Sequence, residues 1–398
     1  MWATVHARIL GVTFLRRHLL ALVLGFAVLL SARTPLPALT DAVTGAPAGD
    51  ARLVRPVAYV ALAPLSNTLD ALTFLSLNRA RALLVTWIAF LVLMGVLRRG
   101  TMWRRLVRAV LGVAGFLGLA VAAVLLPRPV PRLVAGLGDV TVLDFHAHTS
   151  ASHDGRHGWT VERLAAWHAA QGFQATYVTD HNIPFSGSEE TVIPVLPGVE
   201  WSVYRQHIVA LGATEPLDLT PFSHDTPGML GLFTALHARG DLGIASLPEY
   251  WKNHWGDLDD LVAAGVDGFE IVNCSPKALA FPSAARRTVI DLARRHDLLA
   301  IGASDNHGWG RVTCVWNVSH EESHGFRDNT VVARPIALLQ GDVPAWTAGA
   351  TQPWLMFRGL SWPERISWLT WILVITLYRA QPRRRGQAAG IGILARSL

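Results

Sequence analysis

The sequence predicts an α/β domain of mainly parallel strands, of barrel type, attached to hydrophobic helices. Three observations predict it. Short β-rich runs alternate with amphipathic helical segments from Val140 onward, the pattern of repeated βα units. Four apolar stretches flank that region and approach or reach the length of a bilayer crossing. The charge is also divided along the chain. Residues 1–138 carry 15 Arg against Asp41, Asp50 and Asp70, residues 139–363 carry 14 Lys and Arg against 25 Asp and Glu, and residues 364–398 carry six Arg against Glu364.

Composition sets the outer bounds. The 398 residues are 51% hydrophobic and 16% charged, the latter below the roughly 25% of soluble domains. This excludes a disordered chain, a collagen and a disulfide scaffold, and argues against a wholly soluble protein. The net charge of +6 belongs to the two ends. The middle is acidic and holds 14 of the 16 His, so it suits a cation better than nucleic acid.

The apolar stretches follow in order. Residues 18–30, preceded by Arg16 and Arg17, read as an uncleaved signal anchor, with a cleaved signal peptide as the alternative. Residues 54–77 are apolar but interrupted by Pro56, Pro64 and Asp70, and are expected to be interfacial or re-entrant. Residues 106–126 fit a transmembrane helix, residues 82–97 fit with one flanking turn, and residues 366–378 are short like the first stretch. Basic clusters mark the cytoplasmic side. Arg8, Arg16 and Arg17, then Arg98, Arg99, Arg104, Arg105 and Arg108, then Arg379 and Arg383–Arg385 give one consistent parity over four helices. The expected organisation is a membrane region over 1–126 with about three transmembrane helices, a linker over 127–138, a catalytic-type domain over 139–350, and a C-terminal transmembrane helix with a basic tail over 351–398. The parity makes this a multi-pass cell-membrane protein whose acidic domain is extracytoplasmic.

Within that domain the strand candidates are VTVLDFHAH, QATYVTDH, VIPVLPGVE, HIVALG, LGIAS, GFEIVN and LLAIGASD. Helical segments at 161–171, 229–239, 258–264 and 284–296 separate them, the first capped by Thr160. About seven strands favour a barrel over a two-layer sheet.

Candidate chemistry gathers just after these runs, where α/β barrels place functional groups. Asp144, His146 and His148 alternate along one strand and share a face, and Asp154 follows in a loop. Thr179-Asp180-His181 follows ATYV, Glu200 follows VIPVLP, His207 opens HIVALG, and Ser304-Asp305-Asn306-His307 follows LLAIGA. His and carboxylate without thiolate suit Zn, Mn or Fe. Asp180 either orients a ligand His or caps a helix, and Arg311 either grips a substrate phosphate or is an ordinary surface residue. His153, His157, His224, His320 and His324 are expected in loops or on the surface, and Trp251 and Trp255 in packing. Two Cys, Cys274 and Cys314, are too few for a Cys-rich zinc module. They either pair in an oxidising compartment or remain separate thiols.

The motifs HAHTSASHDG, TDH, GVE…H and SDNH, in this order, resemble the PHP (polymerase and histidinol phosphatase) family over about residues 140–340. The resemblance implies a distorted (β/α)7 TIM-like barrel, two or three divalent metals and phosphoester hydrolysis. Carried over by motif, His146, His148, Glu200 and Asp305 would hold one metal, and Asp154, His181 and His307 a second. Glu200 would bridge to a further metal that also takes His207. One position departs from the pattern: Ala245-Ser246-Leu247-Pro248 stands where the family has Ala-His-Pro, so Leu247 replaces a ligand, with Glu249 or His254 as candidate substitutes. The expected function is a membrane-anchored phosphoesterase that hydrolyses phosphomonoesters or small diesters through a metal-activated water. Asp180 and Arg311 are the candidate catalytic residues beside the ligands. The expected partners are a small phosphorylated substrate and the lipid bilayer, without nucleic acid; the acidic domain argues against a nuclease. The alternative is a degenerate PHP domain acting as a non-catalytic sensor or scaffold.

Overall fold

The computed structural model describes residues 18–97, 100–136, 140–188, 190–253, 255–320, 330–335 and 354–380. The chain opens with helix α1 (His18–Ser31), then strands β1 (Thr40–Asp41) and β2 (Ala51–Val54). Helices α2 (Val57–Ala61) and α3 (Ala63–Thr73) follow. They occupy the stretch expected to be interfacial or re-entrant. Pro56 stands just before α2 and Pro64 in the first turn of α3, where a missing N–H costs no helical hydrogen bond.

Helices α4 (Leu77–Leu97) and α5 (Met102–Leu125) form an antiparallel pair. At 1.5 Å per residue they are about 31 and 36 Å long, matching a hydrocarbon core of about 30 Å. Both are long and apolar enough to cross a membrane, and little of either is covered by the rest of the protein. Among the described residues α1 is shorter, so two of the four expected crossings meet that test outright.

Residues 127–138, expected as a linker, carry strand β3 (Arg132–Ala135), which pairs antiparallel with β2. The Pro-rich start of the segment hid a strand whose partner lies far away in sequence.

The domain then runs through β4 (Val140–Asp144), α6 (Val161–Gln171), β5 (Ala175–Tyr177), β6 (Val195–Leu196), β7 (Gly198–Val203) and β8 (Gln206–Leu211). It continues with α7 (Thr226–His237), β9 (Leu242–Ala245), α8 (Leu247–Tyr250), α9 (Leu258–Ala263), β10 (Gly268–Asn273), α10 (Ser283–Arg295), β11 (Leu299–Ala303), β12 (Val315–His320) and β13 (Thr330–Ala333). A helical turn α11 (354–358) leads into α12 (Trp362–Ala380), which carries Glu364, Arg365 and Arg379.

Two sheets result. One has the order β1-β13-β12-β4-β5-β6, the other β11-β10-β9-β8-β7. The β4–β5–β6 and β9–β10–β11 pairings are parallel, while β7–β8, β8–β9 and β12–β4 are antiparallel. Two isolated bridges join the sheets at the ends of their strands, Ala147 to Asn306 and His181 to Glu200. The apolar side chains of Phe145, Tyr177, Val209, Ile244 and Ile301 pack together in the shared interior. β1, from the N-terminal region, completes the first sheet by pairing with β13. The Cys274–Cys314 disulfide ties the loop after β10 to the start of β12, which settles the two alternatives for these cysteines.

Candidate metal centre

The ligand-type residues converge at one end of the strands. His146 and His148 follow β4, Asp154 lies in the loop before α6, and His181 follows β5. Glu200 comes from β7, while Asp305 and His307 follow β11. His207 arrives by a different route. β8 runs antiparallel to β7, with His207 opposite Ser202, so a residue near its start reaches the end where its neighbours finish.

The backbone here is unusual. Asp305 and Asn182, next to His181, adopt left-handed conformations with φ of 47° and 57°. Such conformations are costly for non-glycine residues and gather at functional sites. Gly308 follows His307 at φ 83°, and a Cβ there would lie 2.6 Å from the Trp159 ring. Only glycine lets the His307 turn close on that wall.

Four ligand atoms face one point. His146 Nε2 lies 2.9 Å from His148 Nε2, and both lie 3.2 Å from Glu200 Oε2. Asp305 Oδ1 is 3.6 and 3.3 Å from the same two nitrogens. Donors bound to one ion at about 2.1 Å stand about 3.0–3.4 Å apart, so these spacings fit a metal. The same carboxylate serves a second group: His181 Nδ1 is 3.1 Å from Glu200 Oε2, and His207 Nδ1 is 2.8 Å from Glu200 Oε1. Asp154 Oδ2 approaches His307 Nε2 at 3.2 Å and His181 Nε2 at 3.6 Å. His148, His181 and His307 also bring their nitrogens together, with the His148 and His307 rings stacked at 3.9 Å. The structure thus gathers His146, His148, Glu200, Asp305, His181, His207, Asp154 and His307.

The donor set fits divalent metal on a further ground. His148 Nδ1, His181 Nδ1 and His307 Nε2 are buried without a hydrogen-bond partner. Buried polar atoms are ordinarily satisfied, and ring nitrogens left without a partner are what a cation would satisfy. The electrostatics agree. Burial would lower His146, yet Glu200, Glu270 and Asp305 hold it well above its ordinary value. Burial would raise Glu200 and Asp305, yet the surrounding imidazoles, His146 foremost, hold both well below the carboxylate range. Burial would also lower His307, but Asp154 and Asp305 push it up to about 9. His181 goes the other way, driven down to about 4 by burial, so it is neutral with a lone pair free. The cluster attracts positive charge.

One contributor was not singled out from the sequence. Glu270 on β10 is fully buried, and its Oε1 lies 2.5 Å from His146 Nδ1. Ser246 Oγ and Asn273 Nδ2 donate to its other oxygen. A carboxylate behind a ligand His fixes the ring and raises its basicity. The available signal was one acid inside the apolar run GFEIVN.

Other expectations need correction. Asp180 orients no histidine: its two oxygens accept the N–H and hydroxyl of Thr149, each at 2.6 Å, and so hold the turn after His148. Arg311 turns away from the cluster and donates to the Val124 and Leu125 carbonyls at the end of α5, because those carbonyls lack helical partners. Asp144 does not share the ligand face; it pairs with His168 at 2.8 Å, since β4 ends there and the chain turns. His153, expected as an ordinary loop residue, stands exposed in a further group with Asp154 and the buried His181. Leu247 is fully buried in the core. Glu249 pairs with Lys277 at 2.8 Å and joins none of the ligand groups. His254 lies outside the described residues. Trp251 and Trp255 pack edge to face, as expected.

No family model matches the chain, and no curated protein does. Among solved structures it is similar to PsfC from Pseudomonas syringae PB-5123, at 15% identity and a TM-score of 0.38, over 54% of this chain and 97% of that one. A protein provisionally assigned as a metal-dependent phosphoesterase, from Bifidobacterium adolescentis, is 17% identical with a TM-score of 0.34, over 55% and 97%. An amidohydrolase from Chromobacterium violaceum is 20% identical with a TM-score of 0.31, over 42% and 87%. Likenesses this distant carry no argument about activity; the arrangement of the ligands does.

Proposed function

We propose that the chain is a membrane-anchored, metal-dependent phosphoesterase of the PHP type, built on a distorted seven-stranded barrel whose active site lies outside the cytoplasm. The observation that carries the reading is the convergence of His146, His148, Glu200 and Asp305 on one point, backed by Glu270. The bridges Ala147–Asn306 and His181–Glu200 support the barrel, with β4, β5, β7, β8, β9, β10 and β11 as its staves. The Arg104, Arg105 and Arg108 cluster near the far end of α5 and the Cys274–Cys314 disulfide support the orientation.

His146, His148, Glu200 and Asp305 would hold one metal, and Asp154, His181 and His307 a second, with His207 beside Glu200. With Leu247 buried and Glu249 engaged elsewhere, two centres are the number we assign. Bound divalent metal supplies Lewis acidity and lowers the pKa of water toward about 7. The residues do the rest. Glu270 holds the His146 ring, Asp180 fixes the turn carrying His148, and the Tyr250 hydroxyl, 3.2 Å from His207 Nε2, fixes that ring. In the reaction a water oxygen bonds to phosphorus, the ester P–O bond breaks, and the water's proton leaves with the alcohol.

The test is hydrolysis of 4-nitrophenyl phosphate by full-length protein in detergent with added Mn, Zn or Fe. Turnover abolished in His148→Ala and Asp305→Ala supports the reading. Metal-independent turnover, or turnover retained in both variants, sinks it. Metal uptake without any turnover favours the sensor alternative that Leu247 raises.

A further inference from the structure

One cleft of about 580 Å³ is lined at one end by Asp154, Asp305 and His307 of the cluster. Its other wall consists of Leu72, Leu75, Leu77 and Ala80, where α3 turns into α4, and Val124 in the last turn of α5. The apolar hairpin and the ligand cluster therefore share one continuous space.

The two walls are fastened to each other. The Leu77 N–H donates to the Pro276 carbonyl at 2.8 Å, which ties the start of α4 to the disulfide-bearing loop. Arg311, four residues after His307, donates to the Val124 and Leu125 carbonyls. The cluster thus sits at the height where α5 ends. Beyond this level both helices present exposed apolar side chains such as Val92, Leu93, Val110 and Leu111. Trp309 is half exposed between them and the site, its indole N–H donating to the Asp154 carbonyl. A half-exposed indole beside the ends of apolar helices is the arrangement of a membrane interface.

We propose that the substrate is a membrane-borne phosphoester, with its phosphate at the His/carboxylate cluster and its hydrocarbon chain along the Leu72–Leu75–Ala80–Val124 wall. The inference rests on the phosphoesterase reading and deepens it. A small soluble ester would use the polar end of the cleft and leave the apolar wall empty. A lipid uses both, and it reaches the cleft sideways along α4 and α5. Straight-chain diacylglycerol phosphates and branched polyisoprenyl phosphates share this chemistry.

The experiment uses full-length, Mn-loaded protein in phosphatidylcholine nanodiscs. Three esters are compared: 4-nitrophenyl phosphate, dihexadecanoyl phosphatidic acid and a polyisoprenyl monophosphate. At least one membrane-borne ester is expected to exceed the soluble ester in kcat/KM by tenfold or more. Leu72→Gln/Leu75→Gln should remove at least tenfold of that advantage and leave 4-nitrophenyl phosphate within twofold. This separates contact with the cleft from mere partition into the bilayer. Ala80→Phe, which fills the cleft without adding a polar group, should do the same if the double variant folds poorly. Turnover of the soluble ester with no preference for either lipid overturns the inference but not the phosphoesterase reading, as does an equal loss on all three esters. If no ester is turned over, binding decides. Hexadecylphosphonate held at least tenfold more tightly than methylphosphonate, with the difference lost in the double variant, upholds the substrate class, and equal affinities overturn it.

Discussion

Two buried polar clusters in this molecule are built from similar residues and do different things. In α3, Asp70 is flanked by Arg128 at 3.1 Å and Arg334 at 3.4 Å, and it accepts a hydrogen bond from the Tyr59 hydroxyl. Glu364 accepts from Asn67 and Ser361 and faces Arg55 at 3.4 Å. Every carboxylate there meets a permanent cation or a donor. These contacts lock α3 and α12 to the strand region. In the second cluster Glu200 and Asp305 meet imidazoles, which can give up their protons, and three ring nitrogens lack any hydrogen-bond partner. Permanent cations make a strut. Titratable imidazoles with lone pairs left over make a binding site.

The comparison can be broken from either side. The largest effect is expected from Glu200→Gln, which touches both ligand groups. Turnover should fall roughly 1,000-fold, several kcal/mol of lost transition-state stabilisation, with unfolding little changed when followed by circular dichroism. Asp70→Asn should do the opposite. It strands Arg128 and Arg334, so stability should drop by about 3 kcal/mol while metal stoichiometry stays intact, as read by thermal melting beside metal analysis. Glu270→Gln removes the charge behind His146, and metal affinity should weaken about 10- to 100-fold in a chelator competition.

A pH effect follows from the raised histidines. His146 and His307 sit above their ordinary values, His307 at about 9, so both carry protons at neutral pH in the metal-free protein. A metal must displace them. Metal uptake should therefore release protons into an unbuffered solution, and affinity should rise with pH until about 9. Uptake with no proton release would break the claim that the cluster is charged and waiting. The smallest effect belongs to Arg311→Gln. It should cost about 1 kcal/mol at the end of α5 and change kcat/KM for a soluble ester less than twofold.

His146, His148, His181, Asp305 and His307 were legible because they follow β-rich runs, and strand ends in α/β folds gather at one face; Asp154, Glu200 and His207 were legible through the ordered motifs they belong to. Glu270 escaped because it lies within a strand, where an isolated acid gives no spacing to read. Arg311 misled because its partners, the carbonyls of Val124 and Leu125, are backbone groups that no side-chain pattern announces. The β2–β3 and β1–β13 pairings were hidden for a related reason: their partners are separated by long stretches of chain, and short strands carry little periodicity. The disulfide stayed open until the fold brought Cys274 and Cys314 to 5.7 Å between Cα atoms.

The most direct test of the central claim is elemental analysis of metal in full-length protein purified in detergent, beside His148→Ala. The account predicts about two equivalents of divalent metal in the wild type, with at least one lost in the variant and the fold retained. No metal, or the same content in both proteins, would contradict it.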